Sequence, residues 1–280
     1  NEHNKRIFAV FVCGPDPTQD ITSYGASFRN LRGQTYIDLL SSDTDDADNI
    51  EWRQYMIFLD RFPSQQEMAQ ISCIVITGSK HDAYTDDAEW KMKLQRIIHD
   101  IHYNINSDPA RDSRHKIKLL GVCFGHQMIA HALRNGTEQP VVGRNNRKSS
   151  IELGLVEVTL TEQFDAFCRR FGVEWKDQNS LFIHQAHIDA VYRLPAHLQD
   201  AHVLAYSPYT DIEMYHIGEF IVGVQGHPEF TTPYLSHAIK KNQKNMKLTR
   251  CQIQEVMKSM EENQASTTEW KYLFRTWLRC

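Results

Sequence analysis

Several things are missing from this 280-residue sequence, and each absence removes a class of protein. Its six cysteines (Cys13, Cys73, Cys123, Cys168, Cys251 and Cys280) are scattered, with no Cys-x-x-Cys pair. That spacing excludes a disulfide framework and a zinc ribbon, and a reducing cytosol is the expected compartment. No apolar run approaches the roughly 20 residues of a membrane helix, so no membrane association is expected. Basic charge is not in surplus: 31 Lys and Arg stand against 35 Asp and Glu, a formal net charge of −4. A nucleic-acid partner is therefore not expected. No P-loop or other nucleotide motif occurs, and neither a cofactor nor a metal is expected. There is no internal repeat and no low-complexity linker.

What is present reads as alternating strands and helices. Arg6 to Cys13 ("RIFAVFVC") and "ISCIVITG" are short, β-branched and aromatic, as buried parallel strands are. The first is read as a strand rather than a signal segment, because no small-residue cleavage site follows it. "DDAEWKMKLQRIIHDIHYNI" has Trp90, Leu94, Ile97, Ile98 and Ile101 at helical spacing behind Asp86 and Asp87. "SDPARDSRH" is a polar loop. "KIKLLGVC" is the next strand, and "GHQMIAHALRNG" the next helix, ending near Asn135 and Gly136. This order indicates an α/β fold with a mostly parallel sheet. "IELGLVEVTL", "HVLAYS", "IEMYHIG" and "EFIVGVQG" are further strands, partly antiparallel. From Thr232 the pattern is helical in three segments. The expectation is one domain over 1–280, with a core of about 6–230 and a helical extension over 231–280. The acidic segment Ser41–Glu51 is read as a solvated loop, and the run Lys240, Lys241, Lys244, Lys247, Arg250 as the wet face of a helix.

One stretch carries a chemical question. "IKLLGVCFGHQMIAHAL" sets Cys123 between Gly121 and Gly125, where a strand hands over to a helix. A Gly-x-Cys-x-Gly turn there is the thiol form of a nucleophile elbow. The helix N-terminus favours a thiolate, and the Phe124 N–H can face an oxyanion. A small buried cysteine at a tight turn is the competing reading. A thiolate nucleophile needs a base that later protonates the leaving group. Among 14 histidines, His227 in "FIVGVQGHPEF" stands out. It follows a strand, and Glu229 two residues on can face the imidazole from the same side of an extended chain.

"GVCFGHQ" together with "GVQGHPEF" resembles the Cys-His-Glu signature of class I glutamine amidotransferases. The resemblance implies a flavodoxin-like three-layer α/β fold with additional C-terminal helices. It implies hydrolysis of a γ-glutamyl amide by Cys123, His227 and Glu229. "IVITGSKHDAY" resembles the family's strand and glycine loop, which implies an oxyanion hole from Gly78 and Ser79 with Phe124. Here Gly-Ser-Lys stands where the family carries Gly-Gly-Pro. Gln127 matches the family's glutamine-binding position. "HQAHIDAV" resembles a further motif but has extra residues; His184, Gln185 and Asp189 are its candidates for substrate binding. The resemblance runs from about Arg6 to Phe230 and is strongest to a stand-alone branch that includes plant γ-glutamyl peptidases, which cut glutamate from glutathione conjugates.

Three functions follow as expectations. The first is an independent hydrolase of γ-glutamyl peptides, glutathione conjugates or glutamine, through a γ-glutamyl thioester. The second is a glutaminase subunit that delivers ammonia to a separate synthase. The third is a non-catalytic binding protein on the same fold. The leaving amine is expected to meet variable loops, near Asp45 or within Gly143–Ser150, where Arg144, Arg147 and Lys148 can face carboxylates.

Overall fold

The computed structural model describes residues 5–15, 31–45, 49–112, 115–136, 138–145, 151–176, 178–242 and 248–280. Asp46 and Asp48 of the acidic segment, Ser113 and Arg114 of the polar loop, Arg147, Lys148, Lys244 and Lys247 lie outside the described residues.

The first half alternates strand and helix. It contains β1 (Arg6–Val12), α1 (Leu31–Leu40), β2 (Ile50–Met56), α2 (Gln65–Met68), β3 (Ile71–Ile76), α3 (Glu89–Asp100), β4 (Lys118–Val122) and α4 (Phe124–Ala132). The second half holds β5 (Val142–Arg144), β6 (Glu152–Leu160), α5 (Glu162–Arg170), β7 (Ser180–His187), β8 (Asp189–Val191), β9 (Ala201–Tyr206), β10 (Met214–Ile217) and β11 (Ile221–Val224). Three helices follow: α6 (Thr232–Asn242), α7 (Arg250–Glu262) and α8 (Thr267–Arg279). Among the described residues nine strands form one sheet, ordered β2-β1-β3-β4-β11-β10-β9-β6-β7. The pairs from β2 to β11 are parallel, and those from β11 through β7 are antiparallel.

Alternation along the strands explains the layers. In β1, Phe8, Val10 and Val12 face one core, while Ile7, Ala9 and Phe11 face the other. Both faces are covered, so the strand reads as an unbroken apolar run. The first core holds Tyr36 of α1, Phe164 of α5, and Trp270, Phe274 and Trp277 of α8. The second holds Trp90, Leu94 and Ile98 of α3, and Met128 and Ile129 of α4. The result is the expected α/β/α arrangement around a central, mostly parallel sheet.

Three boundaries differ from the pattern reading. Helix α3 begins at Glu89, after Asp86 and Asp87, and continues into a π-helical turn over Ile101–Asn106. Helix α4 closes at Ala132, capped by Leu133, short of Asn135. The acidic segment runs into β2 at Ile50, where the parallel pairing with β1 overrides its polar composition. Among the described residues no helix is long and apolar enough to cross a membrane.

Candidate active site

β3, β4 and β11 are neighbours and run parallel, so their carboxyl ends deliver three loops to one place. This is where open α/β sheets bind ligands. β3 delivers Gly78 and Ser79, β4 delivers Cys123, and β11 delivers His227. The Cys123 N–H donates to the Val224 carbonyl at 2.9 Å, which ties the second loop to the third.

Cys123 sits at φ 52° and ψ −104°, a region that a side chain makes costly. Strain of this kind costs on the order of 1–3 kcal/mol and persists only where the surroundings enforce it. The flanking glycines provide the enforcement by close approach. A Cβ on Gly121 would lie 2.5 Å from the Gly125 carbonyl oxygen, and one on Gly125 would collide with the Ile76 carbonyl of β3. Neither glycine has positive φ. They let α4 press back onto β4 and β3, and the cysteine carries the strain.

The other cysteines are poorly suited to attack. Burial pushes the thiol of Cys13 far up, and those of Cys73 and Cys168 to about 12. Cys251 and Cys280 are exposed on the tail helices. Cys123 lines a cavity of about 710 Å³, shared with His227, Gln127, Asp189 and Ser79.

The histidine is held on three sides. Its backbone N–H donates to the His184 carbonyl at 2.7 Å, an isolated antiparallel bridge to β7. Its ring stacks on Phe230, with centroids 4.0 Å apart and planes 3° from parallel. Its Nδ1 lies 2.7 Å from Glu229 Oε1. Burial disfavours the imidazolium, but the Glu229 carboxylate and then Cys123 outweigh it, and the pKa rises to about 10. A Cβ on Gly78 would lie 2.9 Å from His227 Cε1 and 3.6 Å from Cys123 Cβ, so this glycine leaves room for both.

The remaining candidates separate. Gln127 stands one turn into α4 from Cys123 and lines the cavity, with Nε2 donating to the Asp189 carbonyl at 2.7 Å. Ser79 lines it too, its hydroxyl tied to the Cys13 carbonyl at 2.7 Å. The Gly78 N–H donates to the Tyr36 hydroxyl at 3.1 Å. Phe124 is the first residue of α4, where N–H groups have no intrahelical acceptor. His184 lies behind His227, with Nε2 3.2 Å from Thr232 Oγ1, and burial lowers its pKa to about 4. Gln185 does not reach the cavity. It is fully buried and donates to Glu213 Oε2 at 2.7 Å, beside the buried Glu152. Asp45 is also elsewhere, bonded to Trp52 Nε1 at 2.8 Å and paired with Arg279, whereas Arg144 does line the cavity.

The pattern reading missed Arg32 and Tyr36 of α1, which reach the glycine loop and Glu229. It also missed the wall built by α6, α7 and the residues just before α7, which contributes Tyr234, Leu235, Leu248 and Gln252.

A mostly parallel sheet with a strained cysteine at one strand end, and a His-Glu pair at the next, defines a protein of the α/β class. The family model for glutamine amidotransferase class-I matches residues 101–246, just over half of the chain, and the chain belongs to that family. It is 28% identical over 275 residues to gamma-glutamyl peptidase 4 of Arabidopsis thaliana, covering 98% of this chain and 96% of that protein. The crystal structure of a glutamine amidotransferase from Methylobacillus flagellatus aligns with a TM-score of 0.64 at 15% identity, covering 98% of this chain and 95% of that one. One from Thermotoga maritima aligns at 0.62 and 17%, covering 99% and 100%. At these identities the structures establish the fold alone.

Proposed function

We propose that this chain hydrolyses the γ-glutamyl amide bond of γ-glutamyl peptides, with Cys123 as nucleophile. Cys123 Sγ attacks the γ-carbonyl, and the carbonyl electron pair moves onto oxygen, facing the amides of Ser79 and Phe124. His227, protonated and held by Glu229, gives its proton to the departing amine as the C–N bond breaks. Water, deprotonated by His227, then cleaves the γ-glutamyl thioester and releases glutamate.

The observation that carries this reading is the strained Cys123 beside the His227–Glu229 pair on one cavity wall. Two further features favour a peptide over glutamine. A cavity of about 710 Å³ is large for glutamine and lies within the roughly 300–1,000 Å³ that encloses a whole small-molecule ligand. Among the described residues Lys80 and Arg144 line it against one carboxylate, Asp189, which suits a substrate with an additional carboxylate. The full-length kinship with a gamma-glutamyl peptidase points the same way.

The test is glutamate release from glutamine, glutathione and a glutathione S-conjugate by the purified chain. Release from the peptides should exceed that from glutamine by at least about tenfold, and Cys123→Ala should abolish it. Turnover of glutamine alone, dependent on an added synthase, would instead support a glutaminase subunit.

A further inference from the structure

Helix α1 touches the catalytic loops at two points, one helical turn apart on the same face. Tyr36 is 1% exposed. Its hydroxyl donates to Glu229 Oε1 at 2.6 Å and accepts the Gly78 N–H at 3.1 Å. Glu229 Oε1 is also the atom beside His227 Nδ1, and Glu229 Oε2 has no partner among the described residues. Among the described residues Tyr36 is thus the second of two groups that hold this carboxylate. Burial first, then the neighbouring Glu229, hold the phenol well above its ordinary pKa, so it stays a donor. Four residues earlier, Arg32 Nη1 donates to the Gly78 carbonyl at 3.0 Å, and the Thr77 hydroxyl donates to the same oxygen at 3.1 Å.

The two contacts grip Gly78 at both ends. Tyr36 takes its N–H, and Arg32 takes its carbonyl. That carbonyl and the Ser79 N–H belong to one planar trans peptide unit, so they point in opposite directions. With the carbonyl drawn toward α1, the Ser79 N–H is turned away from it. Ser79 lines the cavity that holds Cys123.

We propose that Arg32 and Tyr36 are positioning residues: through the Gly78 peptide and Glu229 they aim the Ser79 oxyanion donor and the His227 carboxylate partner at Cys123. The proposal rests on the reading of Cys123 as nucleophile, but not on the identity of the substrate. Neither side chain takes part in bond making. Each acts by removing rotational freedom from a group that does, which is how preorganised electrostatics accelerates a reaction.

Two probes without a γ-glutamyl group test it. p-Nitrophenyl acetate acylates a thiolate through an oxyanion: the S–C bond forms as the carbonyl pair moves to oxygen, and collapse expels p-nitrophenolate. Iodoacetamide alkylates the same thiolate by displacing iodide at a tetrahedral carbon, with no oxyanion. Both reactions are followed at Cys123 by peptide mass, using the full chain. Removing an oxyanion donor outright costs about 10²–10³-fold, so misaiming one should cost at least about tenfold. Arg32→Met and Tyr36→Phe should each slow acylation at least about tenfold more than alkylation, and Tyr36→Phe, which also loosens Glu229, should slow both. An unchanged ratio of the two rates in both variants, whether both rates hold or both fall together, overturns the proposal. Failure of the wild type on γ-glutamyl substrates would sink the proposed reaction and leave this ratio measurable.

Discussion

His227 sits where two opposing effects meet. Burial favours the neutral ring, yet Glu229 at 2.7 Å and Cys123 hold the proton to a pKa of about 10. An unfolded histidine titrates near 6.5. The contribution of this proton to stability is therefore complete below about pH 6.5 and is lost as pH rises through about 10. In the proposed reaction the same proton is the acid for the leaving amine. Hydrolysis should hold a plateau above neutrality and fall on an alkaline limb near pH 10, measured as kcat/KM against pH. Glu229→Gln removes the largest raising influence. It should move that limb down by at least about one pH unit and lower kcat by about 10²–10⁴-fold, with a smaller change in KM. An unmoved limb would show that Glu229 does not act through His227. At the turn itself, Gly125→Val would press a branched side chain into the Ile76 carbonyl. It should cost at least the roughly 1–3 kcal/mol of overpacking, read from the denaturation midpoint, and abolish thiol reactivity.

At the scale of elements, two helices of the C-terminal extension serve the cavity and one serves the core. Phe230 stacks on His227 and packs with Leu235 and Ile239 of α6, and with Met260 of α7. In the proposed reaction the acid that protonates the leaving amine lies beside that amine, which would run the amine's substituent along this apolar wall. Tyr234→Ala and Leu248→Ala should raise KM for γ-glutamyl peptides by up to about tenfold and leave glutamine kinetics unchanged. Equal effects on both would place the wall on the glutamyl side. Helix α8 instead buries Trp270, Phe274 and Trp277 against the first sheet face. Its last-turn carbonyls, Trp277 and Cys280, accept from Lys118 Nζ of β4 at 2.5 and 2.7 Å. Trp277→Ala should cost about 3–5 kcal/mol, measured by chemical denaturation.

We expect the whole molecule to unfold as one body. Among the described residues the first core joins α1, α5 and α8 to the strands that carry the site. Unfolding followed by tryptophan fluorescence should coincide with loss of Cys123 alkylation in a single transition. Truncation after Ser266 should strip an apolar layer from the sheet and leave the chain insoluble. A soluble, reactive truncated chain would make the C-terminal helices separable.

The amino-acid sequence alone determined what is local. Gly-x-Cys-x-Gly between an apolar run and a helical pattern locates a strained thiol, because a turn and its helix are contiguous. His227 and Glu229 sit only two apart, so their pairing is local, though it is a turn closed by the Phe230 N–H on the His227 carbonyl at 3.2 Å, and not extended chain, that brings the side chains together. What joins distant segments was decided only by the tertiary structure. Gly78, Cys123 and His227 meet because β3, β4 and β11 are adjacent in the sheet, and strand order is not written in any one strand. Gln185 matched a motif, yet it points into a buried acid pair on the other side of β7 from the bridge to His227. Tyr36 left no signal at all. It is a buried core residue, and its bond to Glu229 spans 193 positions. A hydroxyl at the end of a buried ring acquires its role only when folding brings that carboxylate to it.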